Sequence, residues 1–520
     1  MLRDKAAPSS GGFARDGLSE FQIGNLIAAI YSWQMIRSHS PRRFSPMRAN
    51  LVAFLIYAAV VIGCGLGIYL TLQAGKSLVP PRAPAMSATP TATSATGGGD
   101  WWQGTYEALR QPLPLLLIQL ILIVTMARLF GAHSARVGQP AVIGEMIAGI
   151  VLGPSVAGAL APGVFQFVFP AESMGALRML SQVGVILFMF VVGMELDLKK
   201  MRGQARTAIL VSHVSIVLPY FLGTFFSLFI YESFSARGIN FSSFALFMGV
   251  AMSMTAFPVL ARILEERGMT KSHLGSMALT CAAVADVTAW TILVFVVAVV
   301  KARNPANCLL TIGLLAVFVG AMLFAIKPLL RRLPVAKMGV SSEPTQNMVV
   351  AVLVVAFGAG LLTEVIGIHV LFGAFLAGMV MPRESDFQLR VRERLESFSA
   401  AFLLPLFFAF TGLRTQIGLV SDWASVSVCL GLVLVATIGK LGGSMLTARW
   451  SGMDWHDSFA LGALMNTRGL VELIVLNIGF DLGILSPRVF TMMVVMALVT
   501  TCMTGPLLSL GSFLRGQSRP

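Results

Sequence analysis

Charge is scarce in this chain. Asp, Glu, Lys and Arg make up 12% of its 520 residues, about half the share of an ordinary soluble protein. The five cysteines, Cys64, Cys281, Cys308, Cys429 and Cys502, lie in or beside apolar runs with no CxxC spacing. That excludes a disulfide framework or a thiolate metal centre and leaves packing as their use. Enzyme signatures are missing too: there is no GxSxG, HExxH or P-loop, and no carboxylate pair is placed for hydrolysis. The reading is therefore not an enzyme, with no cofactor. A TVGYG filter is also absent, which weighs against a channel. The formal net charge of +14 would suit nucleic acid, but the basic residues flank apolar runs and no nucleic-acid-reading motif accompanies them. Nucleic acid is excluded as a partner, and membrane lipid takes its place.

Apolar sequence fills the chain instead, at 56% with a mean hydropathy of +0.80. Residues 1–50 form a basic tail rich in Ser, Gly and Arg, whose short apolar patch at Phe21–Met35 can lie on a membrane but not span it. Residues 51–73 hold the first credible span, Leu51–Leu72, with no small-residue cleavage site after it. Residues 74–111 contain SATPTATSATGGGD, too polar to pack and so a flexible external loop, followed by Trp101 and Trp102, which suit a membrane interface. From 112 to 514 the spans come densely, at 113–131, 140–160, 177–195, 207–231, 241–264, 274–300, 308–330, 347–366, 368–382, 396–413, 424–450, 456–479 and 489–514, before a short tail at 515–520. The fold expected is an all-α polytopic membrane protein with 13 core transmembrane helices and one extra N-terminal helix.

Charge placement orients these spans. With the N-terminus in the cytoplasm and residues near span ends counted to the nearer side, the inner side receives 27 of the 38 Lys and Arg residues and the outer side 9, leaving Lys440 and Arg468 within spans. This asymmetry puts both termini in the cytoplasm. The core also repeats. GEMIAGIVLGP (Gly144–Pro154) is answered by GAFLAGMVMP (Gly373–Pro382), and LFMFVVGMEL (Leu187–Leu196) by LFFAFTGLRT (Leu406–Thr415). With the seventh core span as linker, two six-helix repeats have opposite orientations, the inverted architecture of secondary transporters.

Asp286 stands alone in the apolar run Leu274–Val300, about 12 residues or ~18 Å from either end. A carboxylate near the bilayer midplane costs roughly 2.5–3.5 kcal/mol on insertion scales. It is retained either as a proton or cation site or as a structural partner between helices. Two further spans read as discontinuous helices. One contains SMTAFPVLAR, where Ser253 and Thr255 offer hydroxyls and Pro258 lacks a backbone donor, freeing a carbonyl as a ligand or merely kinking the helix. The other contains MNTRGLVELIVLNIG, where Asn466, Thr467, Arg468 and Gly469 interrupt the apolar helix. Arg468 and Glu472, spaced i, i+4, can form an ion pair along one face, which is structural or touches the ion. Lys440, among glycines in TIGKLGGS, has Asp286 as its natural partner; alternatively it snorkels to the surface. His213 and His369, within or beside spans, read as hydrogen-bonded packing residues, with a pH-sensing role as the alternative.

The chain resembles the monovalent cation:proton antiporter-2 family, and most closely its plant cation/H+ exchanger branch. The likeness covers about Pro112–Leu510 and rests on GQPAVIGEMIAGIVLGPS, FVVGMELD, SMTAFPVLARIL, Ala285–Asp286, GKLGG and MNTRGLVELIVLNIGFDLGILSPRVFTMMVVMALVTT. The resemblance implies a homodimer, crossed broken helices and elevator-like alternating access. It places Asp286 at the ion-binding aspartate, which would hold the monovalent metal cation, and Lys440 at the midmembrane lysine. Thr255 falls on one broken helix, Arg468 and Glu472 on the other. Ala285 stands where members commonly carry Asp, Asn or Gln, so a single carboxylate serves the site. The sequence also ends just after the last span, where members often append a regulatory domain, so such control is expected to be absent. The function expected is a secondary active Na+ or K+/proton antiporter of the plasma (inner) membrane. Proton and cation share Asp286, exchange is electroneutral, and Asp286 is paired with Lys440 when ion-free. The alternatives on the same spans are a cation channel and a non-transporting membrane sensor.

Overall fold

The computed structural model describes residues 46–78, 106–195, 205–270, 272–301, 305–332, 346–382 and 386–514. The expected N-terminal tail up to residue 45, most of the expected external loop with Trp101 and Trp102, and the tail 515–520 lie outside them. Every described element is a helix or a turn, without a strand. The chain divides into Met1–Ile56, of which Pro46–Ile56 is described and helical, and Tyr57–Pro520, which holds everything that follows.

The main helices are α1 (Pro46–Ala74), α2 (Pro112–Arg136), α3 (Ala141–Leu152), α4 (Met174–Glu195), α5 (Ala205–Phe234), α6 (Phe241–Ser253), α7 (Phe257–Glu266), α8 (His273–Lys301) and α9 (Pro305–Ala321). After them come α10 (Gln346–Ile366), α11 (Val370–Val380), α12 (Asp386–Phe398), α13 (Leu404–Arg414), α14 (Trp423–Thr437), α15 (Gly443–Trp450), α16 (Trp455–Met465), α17 (Leu470–Asp481) and α18 (Pro487–Leu514). Among the described residues, 12 helical stretches are long and apolar enough to cross a membrane, or 13 with the bent α16–α17 pair as one span. The short apolar α11 fills the remaining expected position, so each predicted span is helical. Local chemistry sets several starts. Asn240 accepts from the Ser243 amide at 2.7 Å ahead of α6, and Asp422 accepts from the Ser425 amide at 3.1 Å ahead of α14, satisfying donors that a helix N-terminus leaves open.

The repeated motifs meet each other. α3, carrying the first Gly/Ala motif, packs on α13, and α4 packs on α11, so each motif of one half lies against the complementary motif of the other. Glycine allows this closeness. A Cβ on Gly149 would lie 2.7 Å from the Ala409 Cα, and one on Gly193 would lie 3.1 Å from the Gly378 Cα. The backbones themselves are in contact, as small residues permit in membrane helices. This reciprocal pairing is what a pseudo-twofold axis between inverted halves produces.

Two groups of helices result. α2, α3, α4, α10, α11 and α13 share most of their contacts with one another, and so do α5, α6, α8 and α14 to α18. The groups touch where α13 faces α17 and where α3 faces α18, and an ion pair links α4 to α17.

Candidate functional site: a crossing of two broken helices

Two helix breaks place the polar backbone of two distant segments against each other. α6 ends at Ser253 and α7 begins at Phe257, with Met254 extended at φ −62°, ψ 141°. α16 ends at Met465 and α17 begins at Leu470, with a 41° bend between them. The breaks are joined directly, because the Ala256 amide donates to the Thr467 carbonyl at 3.3 Å. Pro258 corrects its sequence reading. It lies in the first turn of α7, where a missing N–H costs nothing, and the opening belongs to Met254–Ala256 instead. Gly469 is required where it stands: its φ of 154° is closed to other residues, and an added Cβ would lie 2.8 Å from Val259 Cγ2.

Charges then answer the exposed helix ends. Arg468, fully buried, donates through its two terminal nitrogens to the carbonyls of Ala251 at 3.2 Å and Met252 at 2.6 Å, the orphan acceptors at the C-terminal end of α6. The same guanidinium pairs with Glu472 at 2.8 Å, and Glu472 occupies the first turn of α17, where a helix dipole favours a negative charge. Thr501 fixes this break from α18, donating to the Arg468 carbonyl at 2.9 Å and accepting from its amide at 3.2 Å. Thr467 shares a 3.3 Å hydrogen bond with Thr504.

Asp286 is fully buried near the middle of α8. Neither carboxylate oxygen has a hydrogen-bond partner among the described residues. The Phe257 backbone amide, at the N-terminal end of α7, and Lys440 lie near it. Lys440 corrects an expectation, since its ammonium donates to the Thr255 hydroxyl and makes no ion pair with Asp286. The physical reason lies in the backbone. A π-helical turn over Ile438–Gly442 carries Lys440, and Thr255 hangs from the extended segment between α6 and α7. Ser253, the last residue of α6, donates back to the Val250 carbonyl at 2.8 Å. Asn466 is buried with both side-chain polar atoms unpartnered among the described residues. His369 caps α11 by accepting from Leu371, and the ring of His213 bonds the Ile209 carbonyl at 2.8 Å. The described cysteines are free, and the side chain of Cys308 lies outside the described residues.

Two cavities flank the crossing between the helix groups. One, of about 360 Å³, is lined by Glu195, Glu396, Arg262 and Glu265 and reaches Pro258, Val259 and Leu470 at the crossing itself. The other is about 30 Å³, lined by Ser181, His369, Asn477 and Asp481. Sequence reasoning named only Pro258 and His369 among the residues of these two approaches, and it missed Glu145, a buried carboxylate of α3 whose charged neighbours are Arg128 and Arg262. The signals were present as a carboxylate inside GEMIAG and an asparagine inside LNIG.

Residues 121–510 match the family described as sodium/hydrogen exchanger, transmembrane. The chain is 41% identical to the Na(+)/H(+) antiporter NhaS4 of Synechocystis sp. over 76% of this chain and 96% of that protein. It is 37% identical to cation/H(+) antiporter 19 of Arabidopsis thaliana (76% of this chain, 50% of that protein) and 32% identical to K(+)/H(+) antiporter 1 of Saccharomyces cerevisiae (77% and 46%). It thus spans about half the length of those plant and yeast relatives. The fold is similar to that of the sodium proton antiporter MjNhaP1 from Methanocaldococcus jannaschii, with a TM-score of 0.56 at 14% identity over 78% of this chain and all of that one. The expected resemblance to cation/proton antiporters, plant members included, therefore holds, and the chain is an integral membrane protein that belongs to the sodium/hydrogen exchanger transmembrane family.

Proposed function

We propose that the chain is a secondary active antiporter that exchanges Na+ or K+ for protons by alternating access, with Asp286 as the group both ions share. The observation that carries this reading is the pair of unpartnered carboxylate oxygens of Asp286, fully buried beside a broken helix. A buried carboxylate without a partner is costly as an anion, so it takes up either a proton or a cation, and the two exclude each other. Thr255, Ser253 and the open backbone of Met254–Ala256 supply hard oxygens of the kind that suit a monovalent metal cation. The names of the relatives, which include Na+/H+ and K+/H+ antiporters, support the same chemistry.

Charge arithmetic supports electroneutral exchange. Asp286, Lys440, Arg468 and Glu472 sum to zero when all are ionised, and a proton or a monovalent cation adds the same single charge. Lys440 is held by Thr255 instead of Asp286, so its ammonium keeps its acceptor whichever ion occupies the carboxylate. The Lys and Arg asymmetry supports cytoplasmic termini, and the 360 Å³ cavity then opens inward; we place the chain in the plasma (inner) membrane. We read the chain as a homodimer with no enzymatic activity and no cofactor beyond the transported ions. We take 112–514 as the antiporter domain, preceded by the extra helix at 51–73, the loop at 74–111 and the tail at 1–50, and followed by 515–520. The test is cation-driven pH change in proteoliposomes, run separately with Na+, K+ and Li+. Proton movement that follows an imposed cation gradient supports antiport. Cation flux indifferent to an opposing proton gradient identifies a channel, and binding without flux a sensor.

A further inference from the structure

The end of the protein opposite the 360 Å³ cavity is fastened by side chains. Asp481, at the C-terminus of α17, pairs with Arg414 of α13 at 2.8 Å and with Arg178 of α4 at 2.9 Å. One turn deeper, Asn477 donates to the Thr411 hydroxyl at 2.8 Å and accepts from Arg414 at 3.0 Å. The Arg414 guanidinium also lies over the Phe410 ring at 4.2 Å and faces Phe480 at 5.2 Å, a cation–π arrangement that adds to the hold. Two of these contacts are ion pairs between the helix groups, and the void left beside them is only about 30 Å³, room for a water or two.

The same three helices do the opposite at their other ends. α4 through Phe188, Val191 and Val192, α13 through Leu404 and Phe408, and α17 through Leu470 line the 360 Å³ cavity. One interface is thus zipped at the Asp481 end and parted at the Glu195 end. From this juxtaposition, and resting on the alternating-access reading above, we propose that the Arg178–Asp481–Arg414 triad and the Asn477–Thr411 hydrogen bond form the outer latch of the transporter. The latch holds the crossing open to the Glu195 side and must release once in each cycle. α17 bears both the latch and Glu472, so any movement of the crossing relative to α13 strains Asn477 and Asp481 first. The residues are positioning groups: they set which side the site faces and do not touch the ion.

The accessibility of an introduced cysteine tests this. Ser181→Cys reports the outer cavity and Ala261→Cys the inner one, each labelled with a membrane-impermeant maleimide in vesicles of known sidedness, with labelling of the unsubstituted chain subtracted. In the otherwise native protein, Ala261→Cys is expected to react at least tenfold faster than Ser181→Cys. Adding Asp481→Asn is expected to raise the Ser181→Cys rate at least tenfold and lower that of Ala261→Cys. Unchanged rates at both positions in a folded Asp481→Asn protein would overturn the latch. If Asp481→Asn does not accumulate folded, Arg178→Gln, at the more exposed arm of the triad, is read in the same way. A second measurement fixes the latch shut. Thr411→Cys/Asn477→Cys bridged by a short bifunctional thiosulfonate is expected to stop exchange and recover it on reduction, and full exchange while bridged would contradict the proposal. Labelling requires no transport and can be repeated in Asp286→Asn, so failure of the latch and failure of the antiport reading give different results.

Discussion

Arg468 donates to the carbonyl of Met252 at 2.6 Å across 216 residues of sequence. One cation thereby closes the C-terminal end of a half-helix in the first repeat while pairing with Glu472 in the second. Removing it strands two backbone carbonyls and a buried carboxylate together. Breaking a buried pair on one side costs about 3–5 kcal/mol, so Arg468→Met should lower the thermal midpoint of the detergent-purified protein by several degrees. Arg468→Met/Glu472→Met should be less damaged than the single variant, since no charge is then left alone. A single variant with the native midpoint would show that the pair carries no structural load.

Gly469→Ala should abolish or cut exchange at least tenfold. The methyl meets Val259 Cγ2 at 2.8 Å and the φ of 154° is itself strained for alanine. Val259→Ala removes the first penalty only. The double variant should therefore recover part of the transport rate in proteoliposomes, and full recovery would mean that the backbone conformation at the break is not required.

Much of this was legible in the sequence because bilayer burial imposes length and periodicity on a span. The motif order that pairs Gly149 with Ala409 and Gly193 with Gly378 announced the inverted packing, since only small residues let backbones touch. The Arg468–Glu472 pair followed from i, i+4 spacing. Partnerships between distant segments were not legible. Lys440 read as a partner of Asp286 or as snorkelling to the surface, and its actual contact with Thr255 depends on a π-helical turn that hydropathy does not encode. Arg414 and Asn477 stand 63 residues apart on spans of different halves, and no local pattern links them.

Exchange should generate no membrane potential. In solid-supported-membrane recordings, a cation jump at fixed pH should give at most a transient, and an imposed potential should leave the steady rate unchanged. Sustained current would mean that Lys440 loses its proton during the cycle, adding a second proton per cation. Lys440→Met would then abolish the current while sparing some exchange.

Asp286 is the group on which proton and cation are held to compete, and Asp286→Asn is the most direct test. Asparagine keeps the volume and removes the titratable charge, so the variant should insert, purify with the native elution profile and remain folded. In proteoliposomes carrying a Na+ or K+ gradient, its cation-driven proton movement should fall to the level of empty liposomes. Proton movement at close to the rate of the native protein would contradict the assignment of Asp286 as the shared site.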